Sequence, residues 1–164
     1  MRILVLGVGN ILLTDEAIGV RIVEALEQRY ILPDYVEVLD GGTAGMELLG
    51  DMADRDHLII ADAIVSRKNA PGTIMVLRDD EVPALFTNKI SPHQLGLADV
   101  LSALRFTGEF PKKLTLVGVI PESLEPHIGL TSTVEAMITP ALEQVLLALR
   151  ESGVEVVARE ETHA

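Results

Sequence analysis

The sequence predicts a three-layer α/β domain with a mostly parallel sheet. Apolar runs at 3–6 and 58–61 suit strands buried on both faces, and 36–39 and 114–119 read as further strands. Between them, apolar residues return at the three- and four-residue spacing of helices. Hydrophobic residues make up 48% of the chain but aromatics only 3%, so the core must be built from Leu, Ile, Val and Ala. Strands alternating with helices give helices on both sides of a central sheet.

The elements follow in order. Strand one, 3–6, runs into the Gly-rich stretch Gly7-Val8-Gly9-Asn10. Thr14 is read as the N-cap of a helix whose apolar face is Ile18, Ile22, Ala25 and Leu26. Pro33 and Asp34 make a turn before strand two, 36–39, which ends at Asp40. Gly41 and Gly42 form a sharp turn, Thr43 caps a short helix to about Leu49, and Asp54 and Asp56 break it. Strand three, 58–61, is wholly apolar and therefore central, and ends at Asp62. A polar loop, 66–72, leads to strand four at 73–77. No helical pattern separates strands three and four, which favours an antiparallel placement of the latter. Residues 79–90 read as irregular. Ser91 and Pro92 then look like the N-cap and first residue of a helix that faces inward with Leu97, Leu101 and Leu104.

Strand five is 114–119, followed by a loop at 120–130 that holds two prolines. Ser132 with Glu135 resembles a capping box. It opens a long stripe of Val134, Met137, Ile138, Ala141, Leu142, Val145 and Leu149. Pro140 inside this helix is expected to bend it, Gly153 to end it, and the tail from about 158 to fray. The chain, 1–164, reads as one domain.

Composition narrows the function. The 164 residues carry a net charge of −12, which argues against a nucleic-acid or anionic-membrane surface. There is no cysteine, hence no disulfide, cysteine nucleophile, iron–sulfur cluster or thiolate zinc site. That fits a cytoplasmic protein. No apolar run approaches the roughly 18 residues of a membrane span, and glycines and acids interrupt the first run too soon for a targeting segment.

Three residues converge on the carboxyl edge of the predicted sheet, where open α/β folds keep their sites. Glu16 lies in the first turn of helix one, Asp62 at the end of strand three, and His93 in the first turn of the helix opened by Ser91-Pro92. Two carboxylates and an imidazole suit a borderline divalent metal with open positions, such as zinc, nickel or manganese. A helix N-terminus disfavours protonated imidazole, which would keep His93 ligand-competent. Each residue also has a plain structural reading. Glu16, and still more Asp15, could merely compensate the helix dipole, worth ~0.3–1 kcal/mol. Asp40 and Asp62 could be turn residues, and His93 a structural histidine. Convergence, rather than any one residue, raises the functional reading.

Among the other histidines, His57 starts strand three at the opposite edge, His163 lies in the tail, and His127, in the loop after strand five, is the rival ligand. No H-E-x-x-H pair or G-x-S-x-G turn occurs, and Ser66, Ser91, Ser123 and Ser132 lack a nucleophile's spacing. A dinucleotide site is the obvious competitor: Gly7 and Gly9 match the first two glycines of G-x-G-x-x-G, and Asp40 could hold a ribose. Leu12 replaces the third glycine, however, and Asp15 and Glu16 crowd the place of the pyrophosphate.

Five blocks taken together resemble the hydrogenase maturation endopeptidases. They are Gly7-x-Gly9-Asn10-x-Leu12-x-x-Asp15-Glu16, Asp40-Gly41-Gly42-Thr43, Asp62-Ala63, Ser91-Pro92-His93-Gln94, and the run from Gly118 to Glu125. They keep their order over about 140 residues. Ala17 stands where many members have Gly, a change a helix tolerates. The resemblance implies a five-stranded mixed sheet between helices, with strand four antiparallel at an edge. It implies an aspartyl-type endopeptidase that removes a short C-terminal extension from the large-subunit precursor of nickel–iron hydrogenase. The cut falls after a His or Arg that follows the last nickel-binding cysteine motif, once nickel is in place. The family's metal-binding triad falls on Glu16, Asp62 and His93.

The triad could hold its own divalent metal and activate water, or dock onto nickel carried by the substrate. The second reading explains a reaction that waits for nickel and is the one preferred. Glu16 or Asp40 would then serve as general base. The protein is expected to be a cytoplasmic monomer, with no nucleic-acid or membrane partner. The segments 79–89 and 121–130 are expected to rim the cleft and set substrate choice. The alternatives are a non-hydrolytic nickel-binding checkpoint or carrier, and a nucleotide-binding α/β protein.

Overall fold

The computed structural model describes residues 1–87 and 92–159. Strand β1 (Ile3–Val8) leads through a 3₁₀ turn (Thr14–Ala17) into α1 (Ile18–Arg29). After it come β2 (Tyr30–Ile31), β3 (Val36–Gly42), a second 3₁₀ turn (Met46–Leu48), α2 (Leu49–Met52), β4 (His57–Ala63) and β5 (Ile74–Arg78). The remainder is α3 (Glu81–Thr87), α4 (Pro92–Thr107), β6 (Lys113–Val119), α5 (Ser132–Glu135), α6 (Ile138–Glu151) and β7 (Val157–Ala158). The main sheet has the order β3-β1-β4-β6-β5, and every pair is parallel except β5 on β6. This is the predicted five-stranded mixed sheet with its fourth long strand antiparallel at an edge.

Strand periodicity builds two cores. Ile3, Val5, Ile59 and Val117 face α1 and α6, meeting Ile18, Ile22, Leu26, Leu142, Val145 and Leu149. The alternate residues Leu4, Leu6, Leu58, Ile60, Leu114 and Leu116 face the other way, against Leu97, Leu101 and Leu104 of α4 and Val82 and Phe86 of α3. All six residues of β1 and all seven of β4 are buried, which is why neither shows a polar–apolar alternation.

Several local expectations need correction. Gly41 and Gly42 continue β3 rather than turning after Asp40, because the strand pairs with β1 as far as Val8. Thr43 caps no helix; the backbone passes first through the 3₁₀ turn at Met46–Leu48. The stretch read as irregular contains α3, whose Val82 and Phe86 are fully buried. Asp79, just before α3, lies at the opposite edge from the predicted site. Its N–H donates to the Leu114 carbonyl, and its Oδ1 accepts from the Leu114 N–H. The start of 79–89 therefore cannot rim that site. Pro140 does not bend a continuous helix: the chain breaks between α5 and α6, leaving Pro140 in the first turn of α6, where a missing N–H costs no helical bond. At the start of the tail, β7 pairs antiparallel with β2. Ser91, the predicted cap of α4, and His163 lie outside the described residues. No helix among the described residues is long and apolar enough to cross a membrane.

His57 shows how the amino edge is sealed. It is 1% exposed, with Nδ1 2.6 Å from Ser152 Oγ and Nε2 2.8 Å from Thr115 Oγ1. A neutral ring donates at one nitrogen and accepts at the other, and a hydroxyl satisfies either. Burial, reinforced by Lys113, pushes its pKa from 6.5 down to about 4, against the opposing pull of Glu151 and Asp79. The unfolded chain therefore takes up a proton here that the fold excludes. Stability should fall as pH drops from about 6.5 and level off below about 4. His57→Gln should flatten the unfolding free energy against pH across that window. An unchanged slope in urea titrations from pH 4 to 7 would remove His57 as the cause.

Candidate functional site

The strand register brings the predicted carboxylates to one edge. Gly7 pairs with Asp40 on one side and with Ala61 on the other. Asp40, two residues before the end of β3, and Asp62, one before the end of β4, therefore lie near the carboxyl ends of the two strands that flank β1, with backbones roughly 10 Å apart. Helix α1 starts over the same edge. Gly19 lets it do so, because a Cβ there would overlap the Ala61 carbonyl oxygen and lie 2.5 Å from that of Val8. Gly9, at φ +139°, leaves room for the Glu16 carbonyl, which any Cβ at residue 9 would meet. Glu16 is half-buried in the 3₁₀ turn ahead of α1.

Asp62 is fully buried. By strand alternation it shares the face of Leu58 and Ile60, turned toward α4. There its Oδ2 accepts from Gln94 Nε2 at 3.0 Å, while its Oδ1 accepts from the Ala63 N–H at 2.8 Å. Asp40 is exposed, and its Oδ1 accepts from the Gly42 N–H at 2.9 Å. His93 is the second residue of α4, so its backbone stands next to Gln94; its side chain lies outside the described residues. Among the described residues, no three His, Asp or Glu side chains group closely enough to hold a metal. His127, the rival ligand, thus does not join Glu16 and Asp62. It is exposed, and its backbone is hydrogen-bonded to Leu12 and Thr14.

Two neighbours of Glu16 have roles that the sequence did not disclose. Asp15 is no dipole compensator. It is fully buried and accepts four donors from across the fold: the N–H groups of Glu122, Ser123 and Thr131, and the Thr131 hydroxyl, at 2.8–3.1 Å. Thr14 is not the N-cap, a place taken by Leu13 without a side-chain bond. Its hydroxyl donates to the Glu125 carbonyl and its N–H to that of His127. It holds φ at +51°, a left-handed conformation that costs a β-branched residue about 1–3 kcal/mol. These bonds tie residues 121–131 to the site. They also explain why Thr131, rather than Ser132, caps α5: Thr131 Oγ1 donates to Asp15 and accepts from the Val134 N–H. Asp15 stands 107 to 116 residues from these donors in the chain, so no local pattern marks its role and only the fold exposes it.

The doubly wound sheet, with carboxylates at its carboxyl edge and a loop strapped across it, defines an open α/β protein whose site lies at the carboxyl ends of its strands. A family model described as hydrogenase maturation protease matches residues 20–148, and the chain belongs to that family of peptidases. It is 91% identical over 163 residues to the hydrogenase 2 maturation protease of Escherichia coli K12, covering 99% of both chains. It is also 49% identical to the hydrogenase expression/formation protein HupD of Rhizobium leguminosarum, over 98% of this chain and 80% of the other. The solved structure of the hydrogenase maturating endopeptidase HybD from E. coli superposes with a TM-score of 0.96 at 91% identity, covering 99% of this chain and all of that one.

Proposed function

We propose that this protein removes a C-terminal extension from the nickel-loaded large-subunit precursor of nickel–iron hydrogenase, cutting after a His or Arg that follows the last metal-binding cysteine motif. The observation that carries the reading is the meeting, in a hydrogenase maturation protease, of Asp62 at the end of β4 with the Glu16 turn on the same sheet edge. Glu16, Asp62 and His93 are the groups assigned to the metal. The donor set fits: two carboxylates and an imidazole suit a borderline divalent cation.

The nickel is that of the substrate, and another divalent ion could occupy the same ligands. Bound there, it supplies a positive charge that fixes the substrate's carboxyl-terminal segment against the edge. Glu16 or Asp40 takes a proton from the attacking water. Water's oxygen bonds to the scissile carbonyl carbon, the C–N bond breaks, and the proton passes to the departing amine. Residues 121–131 shape the approach. They are held by Asp15 and present Leu124 and Ile128, which are exposed, beside exposed Leu12. The reaction is read as cytoplasmic and the enzyme as a monomer.

Purified protein incubated with precursor should release a C-terminal peptide, seen by mass, from the nickel-loaded form and not from the metal-free form. Glu16→Gln, Asp62→Asn or His93→Ala should each slow release by at least about a hundredfold. Full activity in His93→Ala would dismiss the triad. Binding without cleavage of the cognate precursor would make the protein a nickel checkpoint instead.

A further inference from the structure

Gln94 does more than fill the core. It is 3% exposed, and its amide nitrogen has two acceptors: Asp62 Oδ2 at 3.0 Å and the Ala63 carbonyl at 2.9 Å. The carboxylate is thus gripped on both oxygens, by Gln94 on one and by its own neighbour's N–H on the other. A carboxylate held at both oxygens cannot rotate about its Cβ–Cγ bond without losing a charge-assisted bond. The same amide fastens the first turn of α4 to the carboxyl end of β4. A second contact braces that turn from the other side. Gly96 packs against Gly45, and a Cβ on either would stand 3.2 Å from the other's Cα. The Gln94 amide and the close Gly45–Gly96 approach thus both hold the first turns of α4 against this edge of the sheet.

We propose that Gln94 is a positioning residue which sets the orientation of Asp62, and its placement relative to residue 93, for recognition of a divalent metal on the substrate. The inference rests on the metal-docking reading above. Gln94 touches neither substrate nor metal in this scheme; it acts through Asp62. Outer-shell partners of metal ligands characteristically govern affinity by about 10- to 100-fold.

The test compares the affinity of the protein for nickel-loaded and metal-free large-subunit precursor, measured side by side, with the ratio as the readout. Gln94→Met keeps the length of the side chain and removes both donors. It should lower affinity for the nickel-loaded precursor about tenfold or more, leave that for the metal-free precursor unchanged, and so drive the ratio toward one. In an Asp62→Ala background the ratio should already be near one, and Gln94→Met should not change it further. Should Gln94→Met fail to fold, Gln94→Asn retains the amide but is one methylene too short to reach both acceptors, and the same loss of ratio is expected. Equal losses for both precursor forms, with the ratio preserved, would make Gln94 a purely structural residue and overturn the proposal. A wild-type ratio of one would instead overturn the metal-docking reading itself, and the inference with it.

Discussion

Gly19→Ala is expected to destabilise the protein by at least about 3 kcal/mol. Gly19 is the second residue of α1 and rests directly on the two central strands. The new methyl would overlap the Ala61 carbonyl and crowd that of Val8. Both obstacles are main chain, so no rotamer change clears them, and α1 must lift from the sheet. It would carry with it the turn that bears Asp15 and Glu16, so peptide release should fall along with stability. Urea unfolding measures the first effect and the mass assay the second. Gly50→Ala is the control: nothing lies within 4 Å of its Cβ position in α2, and helix propensity should make the change neutral or up to about 1 kcal/mol stabilising. Similar losses at both positions would refute close approach as the cause.

Asp15→Ala should cost about 3–5 kcal/mol. It strands three backbone N–H groups in a part-buried setting, at ~1–3 kcal/mol each and less than additively. Asp15→Asn should be little better, because its amide would face donors with a donor. The specific signature is local. Amide hydrogen exchange at Glu122, Ser123 and Thr131 should accelerate well beyond that of β4, as residues 121–131 come loose from the Thr14–Asp15 turn. Cleavage should fall even at temperatures where the variant stays folded. Unchanged exchange at those three amides would show that the carboxylate does not hold the loop.

The elements that were legible are the ones with a strong local period. Residues 3–6 and 58–61 could be placed as strands because they are buried on both faces and so lack polar interruptions, and 114–119 because Thr115 alone interrupts its apolar run. The antiparallel fourth strand was legible because a parallel one needs a crossover that the sequence between 62 and 73 lacks. Glu16 and Asp62 could be brought to one edge by topology alone, since helices after parallel strands begin where those strands end. Short-range chemistry misled where a distant partner outbid the local one. Thr14 has the chemistry of an N-cap, yet its hydroxyl is taken by Glu125. Ser132 and Glu135 have capping-box spacing, yet Thr131 caps the helix because Asp15 holds it in place. α3 has too short an apolar pattern to stand out, and is a helix because Val82 and Phe86 find a pocket under α4.

The sequence by itself therefore determined the order of the five long strands and of the helices with a clear apolar face, the two-faced core and the edge on which the acidic residues gather. All of these follow from apolar periodicity and chain connectivity. The tertiary structure alone decided which polar group serves which. Asp15 became an anchor rather than a helix-dipole partner, and Asp62 became clamped by Gln94, because a buried carboxylate must collect hydrogen-bond donors wherever the fold brings them. Those donors lie 32 to 116 residues away in the chain, beyond the reach of any local pattern.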